Sequence, residues 1–218
     1  MIAGKNKIAL AAGLAATAML ICAAVALALN VSCAGGGPRC NGTNQPDTIT
    51  GTNNRDEIFA KRGFDAVLAR PGRDEIAGQG GNDDLYGEAG FDEAHGGDGE
   101  DFMSDTFDTE GGEDRYFGDG GRDYIHGFSD RDKIVGGPGS DGFGTGSLVG
   151  GAGADIVSGG PGRDVLLGEE GNDDLRGGRK NDAIYAGAGH DEVDCGPGGS
   201  DYADVEPNDD VRRCETVV

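Results

Sequence analysis

Apolar side chains return along this chain every nine positions, separated by stretches of glycine, acidic and other polar residues. Set in rows of nine from Gly42, the chain reads GTNQPDTIT, GTNNRDEIF, AKRGFDAVL, ARPGRDEIA, GQGGNDDLY, GEAGFDEAH and GGDGEDFMS. After four extra residues it continues as TEGGEDRYF, GDGGRDYIH, GFSDRDKIV and GGPGSDGFG, and after five more as GGAGADIVS, GGPGRDVLL, GEEGNDDLR, GGRKNDAIY and AGAGHDEVD. The eighth column of these sixteen rows is apolar or aromatic throughout: Ile49, Ile58, Val67, Ile76, Leu85, Ala94, Met103, Tyr116, Ile125, Ile134, Phe143, Val157, Leu166, Leu175, Ile184 and Val193. Six turn-forming residues followed by three strand-like ones predict a short strand in every row, with its middle side chain facing inward.

Two further columns keep the same phase. The sixth is Asp in every row, and Gly fills the first and the fourth in twelve rows each. Gly at those two positions is expected to supply positive φ, which a side chain would penalise. A chain that turns every nine residues closes one flattened coil per 18. Stacked coils then form two parallel sheets with the eighth-column side chains between them. At a strand spacing of about 4.8 Å, each sixth-column Asp falls beside the Asp two rows on. One edge would carry Asp47, Asp65, Asp83, Asp101, Asp123, Asp141, Asp164 and Asp182; the other would carry Asp56, Asp74, Asp92, Asp114, Asp132, Asp155, Asp173 and Asp191. These ladders assume that both insertions bulge outward.

Carboxylates about 5 Å apart repel by about 0.8 kcal/mol even in water, and by more where solvent is excluded. A hard divalent cation relieves this, because each turn offers carboxylate and carbonyl oxygens and Gly lets the carbonyls converge. Ca²⁺ accepts six to eight oxygens in irregular geometry, Mg²⁺ demands a tighter octahedron, and no repeating column holds His or Cys for Zn²⁺. The metal candidates are Asp74, Asp83, Asp92, Asp101, Asp114, Asp123, Asp141, Asp155, Asp164, Asp173, Asp182 and Asp191. Gly78, Gly96, Gly118, Gly136, Gly150, Gly159 and Asp98 join them in the turns. Several rows depart from the pattern: Lys61 and Arg62, and again Arg179 and Lys180, put fixed cations in the turn, and Asp130 replaces a fourth-column Gly. Rows 42 to 59 lack the fourth-column Gly and read as an N-terminal cap with doubtful metal sites.

The nonapeptide GGxGxDxUx, met in full in GGDGEDFMS, GGPGSDGFG, GGAGADIVS and GGPGRDVLL, resembles the repeats-in-toxin (RTX) calcium-binding repeat. That resemblance implies an all-β, right-handed parallel β-roll solenoid of about sixteen repeats in two sheets. It also implies Ca²⁺ held between turns two rows apart, by the sixth-column Asp of each and by backbone carbonyls. After Asp194, CGPGGSDYAD reads as a degenerate seventeenth repeat ending in Asp201 and Asp204. The period then stops, and residues 195 to 218 resemble the C-terminal cap of secreted actinobacterial RTX proteins.

Composition adds to this picture at a few points. With 44 Gly among 218 residues, no Trp and a net charge of −22, an ordinary core is hard to build and nucleic acid is excluded as a partner by charge. Residues 1 to 29 place Lys5 and Lys7 before an uncharged run from Ile8 to Leu29, which reads as a secretory signal or an uncleaved N-terminal anchor, with 30 to 41 a linker. The protein is therefore expected outside the cell or on its surface. Export would let Cys33 and Cys40, and Cys195 and Cys214, form two sequence-local disulfides, with Cys195 to Cys214 tying down the cap; four free thiols are the alternative. His95 and His126 read as exposed strand ends and His190 as a turn residue. No GxSxG, HExxH or phosphate-loop motif occurs. Segments 30 to 41 and 205 to 218 are too short for a catalytic domain. The expectation is a freestanding, monomeric calcium-binding protein with a structural or interaction role. A matrix or adhesive protein binding a glycan or surface, and a module associated with a hydrolase or epimerase, are the alternatives.

Overall fold

The computed structural model describes residues 29–33, 39–105, 112–142 and 147–218, and the segment read as a signal or anchor lies outside them except for Leu29. Among the described residues, strands alternate between two sheets, one of eleven and one of ten, and every strand pairs in parallel with the next but one. Register follows the coil length: Ile58 faces Ile76, Ile76 faces Ala94, and Ala94 faces Tyr116. Eighth-column side chains from both sheets meet between them and form the core. From Ile49 to Val193 those described are 0 to 1 % exposed, so the apolar column is the whole of the interior over most of the array. This is the stacked solenoid expected from the period, in the two-sheet β-roll form that the RTX resemblance implies.

The stack is longer than the sixteen rows. Where a linker is expected over 30–41, Leu29–Ser32 pairs with Asp47–Thr50, and Arg39–Asn41 pairs with Glu57–Gly63, setting Val31 and Cys40 above Ile49 and Ile58. At the other end Tyr202–Asp204 buries Ala203 as the eighth-column residue of the degenerate repeat. The tail then continues the coil instead of leaving it: Asp210–Arg212 lies beside Glu192–Asp194, and Thr216–Val217 lies beside Tyr202–Asp204. Disulfides join Cys33 to Cys40 and Cys195 to Cys214, one at each end of the stack. Arg213 Nε donates to Asp194 Oδ1 at 2.7 Å across the last coil.

The second insertion sits elsewhere in its row than expected. Leu148 faces Ile125 and Leu166, and is fully buried, so it fills the eighth-column place assigned to Phe143, which lies outside the described residues. The row runs GGPGSD, then five extra residues 142–146, then Ser147, Leu148 and Val149. Spacing alone favours an insertion between rows, yet the extra residues fall between the Asp and its strand, and the core register runs on from Ile125 through Leu148 to Leu166.

Candidate metal centre

Stacking places the sixth-column Asp residues in two continuous ladders. The backbone N–H of Asp65 donates to Asp83 Oδ1 at 2.9 Å, that of Asp83 to Asp101 at 2.8 Å and that of Asp101 to Asp123 at 2.9 Å; on the other edge Asp74 donates to Asp92 at 2.7 Å. The bonds cross both insertions, from Asp92 to Asp114 and from Asp132 to Asp155, so edge order survives as the sequence predicts. They also run past the recognised repeats: Asp182 donates to Asp201, Asp191 to Asp209, and Asp201 to Glu215 Oε2 at 2.9 Å. Asp209, 18 residues after Asp191, and Glu215, 14 after Asp201, thus take ladder positions in a tail that has lost the nine-residue rows.

From Asp65 onward each ladder carboxylate spends one oxygen on this bond. The other, Oδ2, is buried and accepts no hydrogen bond at Asp65, Asp74, Asp83, Asp101, Asp123, Asp141, Asp155, Asp164, Asp173, Asp182 and Asp191. The residues themselves are 0 to 3 % exposed. First-column Gly explains what Oδ2 faces. A Cβ on Gly78 would lie 2.6 Å from Asp83 Oδ2 and 2.5 Å from the carbonyl oxygen of Gly96, and Gly96, Gly118, Gly136, Gly150 and Gly159 likewise lie beside the Oδ2 of Asp101, Asp123, Asp141, Asp155 and Asp164. At Gly78, Gly96, Gly118, Gly136 and Gly159 the first-column carbonyl of the next coil turns toward the same space. Acceptor oxygens therefore converge with no donor between them, an arrangement that costs free energy unless a cation lies there.

The role expected for first-column Gly needs correcting. Positive φ falls in the second and fourth columns: Gly97, Gly137 and Gly160 in the second, Gly63, Gly81, Gly99 and Gly121 in the fourth. First-column Gly does not adopt it. Its missing side chain serves the close approach of carbonyl and carboxylate instead. Side chains are tolerated in the second column despite φ of 85° at Lys61 and 75° at Gln79, which is why that column is the less strictly Gly of the two.

Burial is the largest influence on these carboxyls and pushes them up, while the ladder N–H pulls back against it. Asp65, Asp101, Asp141, Asp155, Asp173 and Asp182 rise to about 6, Asp74, Asp83 and Asp164 to about 7, and Asp123 and Asp132 to about 8. Asp114 is raised furthest, by burial and then by the Asp105 carboxyl beside it. Asp191 is raised for the same first reason.

Departures from the motif change what a turn offers. At the first two rows Oδ2 is already bonded, to the Thr43 N–H in Asp47 and to the Thr52 N–H and hydroxyl in Asp56. Lys61 Nζ donates to the Gly42 carbonyl oxygen at 2.6 Å, so a fixed cation satisfies a first-column carbonyl in that turn. Ala60, Ala69 and Ala186 put a buried methyl in the first column beside Asp65, Asp74 and Asp191. Asp98 lies exposed in its turn, apart from the ladder. His95 is partly buried, its ring 3.0 Å from Asp119, and His126 is half-buried beside Phe128, where burial holds it down to about 4; both are less exposed than their column suggests.

Among the described residues no three His, Cys, Asp or Glu side chains gather as a metal cluster, so the carboxylates need backbone partners to make a site. Hard oxygens from carboxylate and carbonyl fit Ca²⁺ and leave no soft donor for a thiophilic metal. The architecture is thus a parallel β-solenoid whose turns are lined by oxygen acceptors. Models of the RTX calcium-binding nonapeptide repeat (4 copies) match residues 41–67, 61–94, 77–104, 108–143, 142–175 and 167–200. The chain belongs to this RTX family, and its repeats bind calcium. No similar curated protein is found.

Proposed function

We propose that calcium is the ligand that completes this fold, and that the protein is an exported or surface-held β-roll with a structural or interaction role and no catalytic one. The observation that carries the reading is the row of buried Oδ2 atoms without a donor, facing first-column carbonyls. Asp74, Asp83, Asp92, Asp101, Asp114, Asp123, Asp141, Asp155, Asp164, Asp173, Asp182 and Asp191 would supply the carboxylates. Gly78, Gly96, Gly118, Gly136, Gly150 and Gly159 would supply close approach and carbonyl oxygens. Bound ions neutralise the ladders and stabilise only the folded roll, so folding is coupled to calcium by mass action. Export through residues 1 to 29 would bring the chain into millimolar calcium, the range that extracellular modules use. Circular dichroism and calorimetry of the protein with calcium and with a chelator test this. Loss of β signal on chelation is expected; a full β spectrum and unchanged melting in chelator would contradict it.

A surface-binding role is the second reading, favoured by the aromatic row on one outer face. The eleven-stranded sheet carries Tyr86, Phe102 and Tyr124 in neighbouring contact, with Phe102 and Tyr124 stacked at 4.9 Å, and Tyr185 beside Tyr202 further along. Its counterpart carries the row Glu57, Glu75, Glu93, Arg115 and Lys133. Aromatic rows of this kind suit the faces of sugar rings. Glycan binding measured with and without calcium separates this role from a purely structural one.

A further inference from the structure

The first interruption of the array builds something the repeats do not contain. Asp105, the first of its four extra residues, is folded back into the stack and fully buried. The Tyr116 hydroxyl, itself in the core, donates to Asp105 Oδ1 at 2.5 Å and fixes it. That oxygen occupies a telling place. A Cβ on Gly87 would lie 2.7 Å from Asp92 Oδ2 and 3.0 Å from Asp105 Oδ1, whereas on Gly78 or Gly127 the corresponding neighbours are the row's own Asp and a backbone carbonyl, of Gly96 or Gly150. Among the described residues, then, the second oxygen beside Gly87 is a carboxylate, whereas those two turns present a neutral carbonyl. On the next coil Asp114 is 1 % exposed and lies against the Asp105 carboxyl, which after burial is the largest influence raising it.

We propose that the break in the repeat creates one cation position unlike the others, in which Asp105 adds a side-chain ligand beside Asp92, next to Gly87. The inference rests on the calcium reading above and extends it to a residue outside the motif. More ligand charge on a rigid frame means tighter binding of a hard cation, so this position fills first and anchors the middle of the array. Tyr116 bonds directly to the proposed ligand and is the tyrosine buried in the core.

Terbium(III), a hard oxygen-seeking stand-in for calcium, tests this in the full chain by emission sensitised through tyrosine. Wild-type protein should show sensitised emission at the first equivalent of terbium. Asp105→Asn should weaken the first ion by about tenfold or more, while Asp123→Asn, at an ordinary turn, leaves the first ion alone and removes a later one. Tyr116→Phe keeps shape and charge and should abolish most of the early emission without changing the terbium bound, which decides the matter even if Asp105→Asn fails to fold. An unchanged first step in Asp105→Asn, or undiminished early emission in Tyr116→Phe, overturns the proposal and leaves a proton shared by Asp105 and Asp114 as the explanation. Failure of the wild type to bind terbium or calcium at all would instead overturn the calcium reading itself.

Discussion

Replacing Asp123 by Asn and by Ala separates the two tasks of a ladder carboxylate. Its Oδ1 accepts the Asp101 N–H at 2.9 Å, while its Oδ2 lies without a donor beside Gly118, facing the Gly136 carbonyl. Burial, with the Asp141 and Asp101 carboxylates adding to it, raises this group to about 8, so above that pH the metal-free roll holds a charge it would rather not hold. Asn keeps the Oδ1 acceptor, removes the charge and turns an amide donor toward Gly136. Without metal it should stabilise the roll by about 1–3 kcal/mol, the usual penalty of a buried unsatisfied group. In calcium the sign reverses, because an ion at a hundred times its Kd contributes about 2.7 kcal/mol that Asn forfeits. Ala should lie about 1–3 kcal/mol below Asn in both conditions, since it leaves the Asp101 N–H unpaired. Osmolyte-induced folding in chelator and urea unfolding in calcium, both at pH 8.5 and followed by circular dichroism, give the two readings. If Asn shifts stability in the same direction and by the same amount with and without calcium, the carboxylate is not a cation ligand and the reasoning fails.

Other consequences follow from the same turns. Asp101→Ala should raise the calcium midpoint of folding more than Asp65→Ala, because Ala60 and the Lys61 ammonium already occupy the latter's turn; equal shifts in a calcium titration would refute this grading of sites. In chelator the raised ladder carboxyls bind protons more tightly folded than unfolded. The metal-free roll should therefore be most stable below about pH 4 and lose stability as pH rises through 6 to 8, with melting curves in chelator at pH 5 and 8.5 as the check. Calcium binding should release protons over the same window, measurable as buffer-dependent heat. Cys214→Ser opens a 19-residue loop worth about 3 kcal/mol and should expose the rows of Asp182 and Asp191 to hydrogen exchange before the rest of the array.

The ladders and the core were legible because one column of Asp and one of apolar residues share a period, and a solenoid turns sequence period directly into spatial neighbourhood. Glycine was read correctly as structural and assigned the wrong duty in its first column: the sequence shows that a side chain is absent, but only the stacked coils show whether φ or close approach forbids it. Leu148 was missed because Phe143 satisfies the period equally well, and nothing local says where in a row a bulge falls. Asp105 was hidden in an insertion, whose one signal was a pair of extra acidic residues, Asp105 and Asp108, in a chain where acidic residues are everywhere. Asp209 escaped because its rows lose the nine-residue count although it stays 18 residues from Asp191, and Glu215 escaped because its coil is cut to 14 residues from Asp201. At the start, Val31 and Cys40 stack without any Asp in phase, held by sheet pairing and the Cys33 to Cys40 bond.

Anomalous diffraction from crystals grown in calcium tests the central claim most directly, since it locates the ions themselves. The account predicts peaks in successive turns beside Gly78, Gly96, Gly118, Gly136, Gly150 and Gly159, each in contact with a ladder Oδ2 and a carbonyl oxygen, and no peak at the turn held by Lys61. Turns empty of calcium, with the Oδ2 atoms still facing carbonyls across a vacant gap, would contradict it.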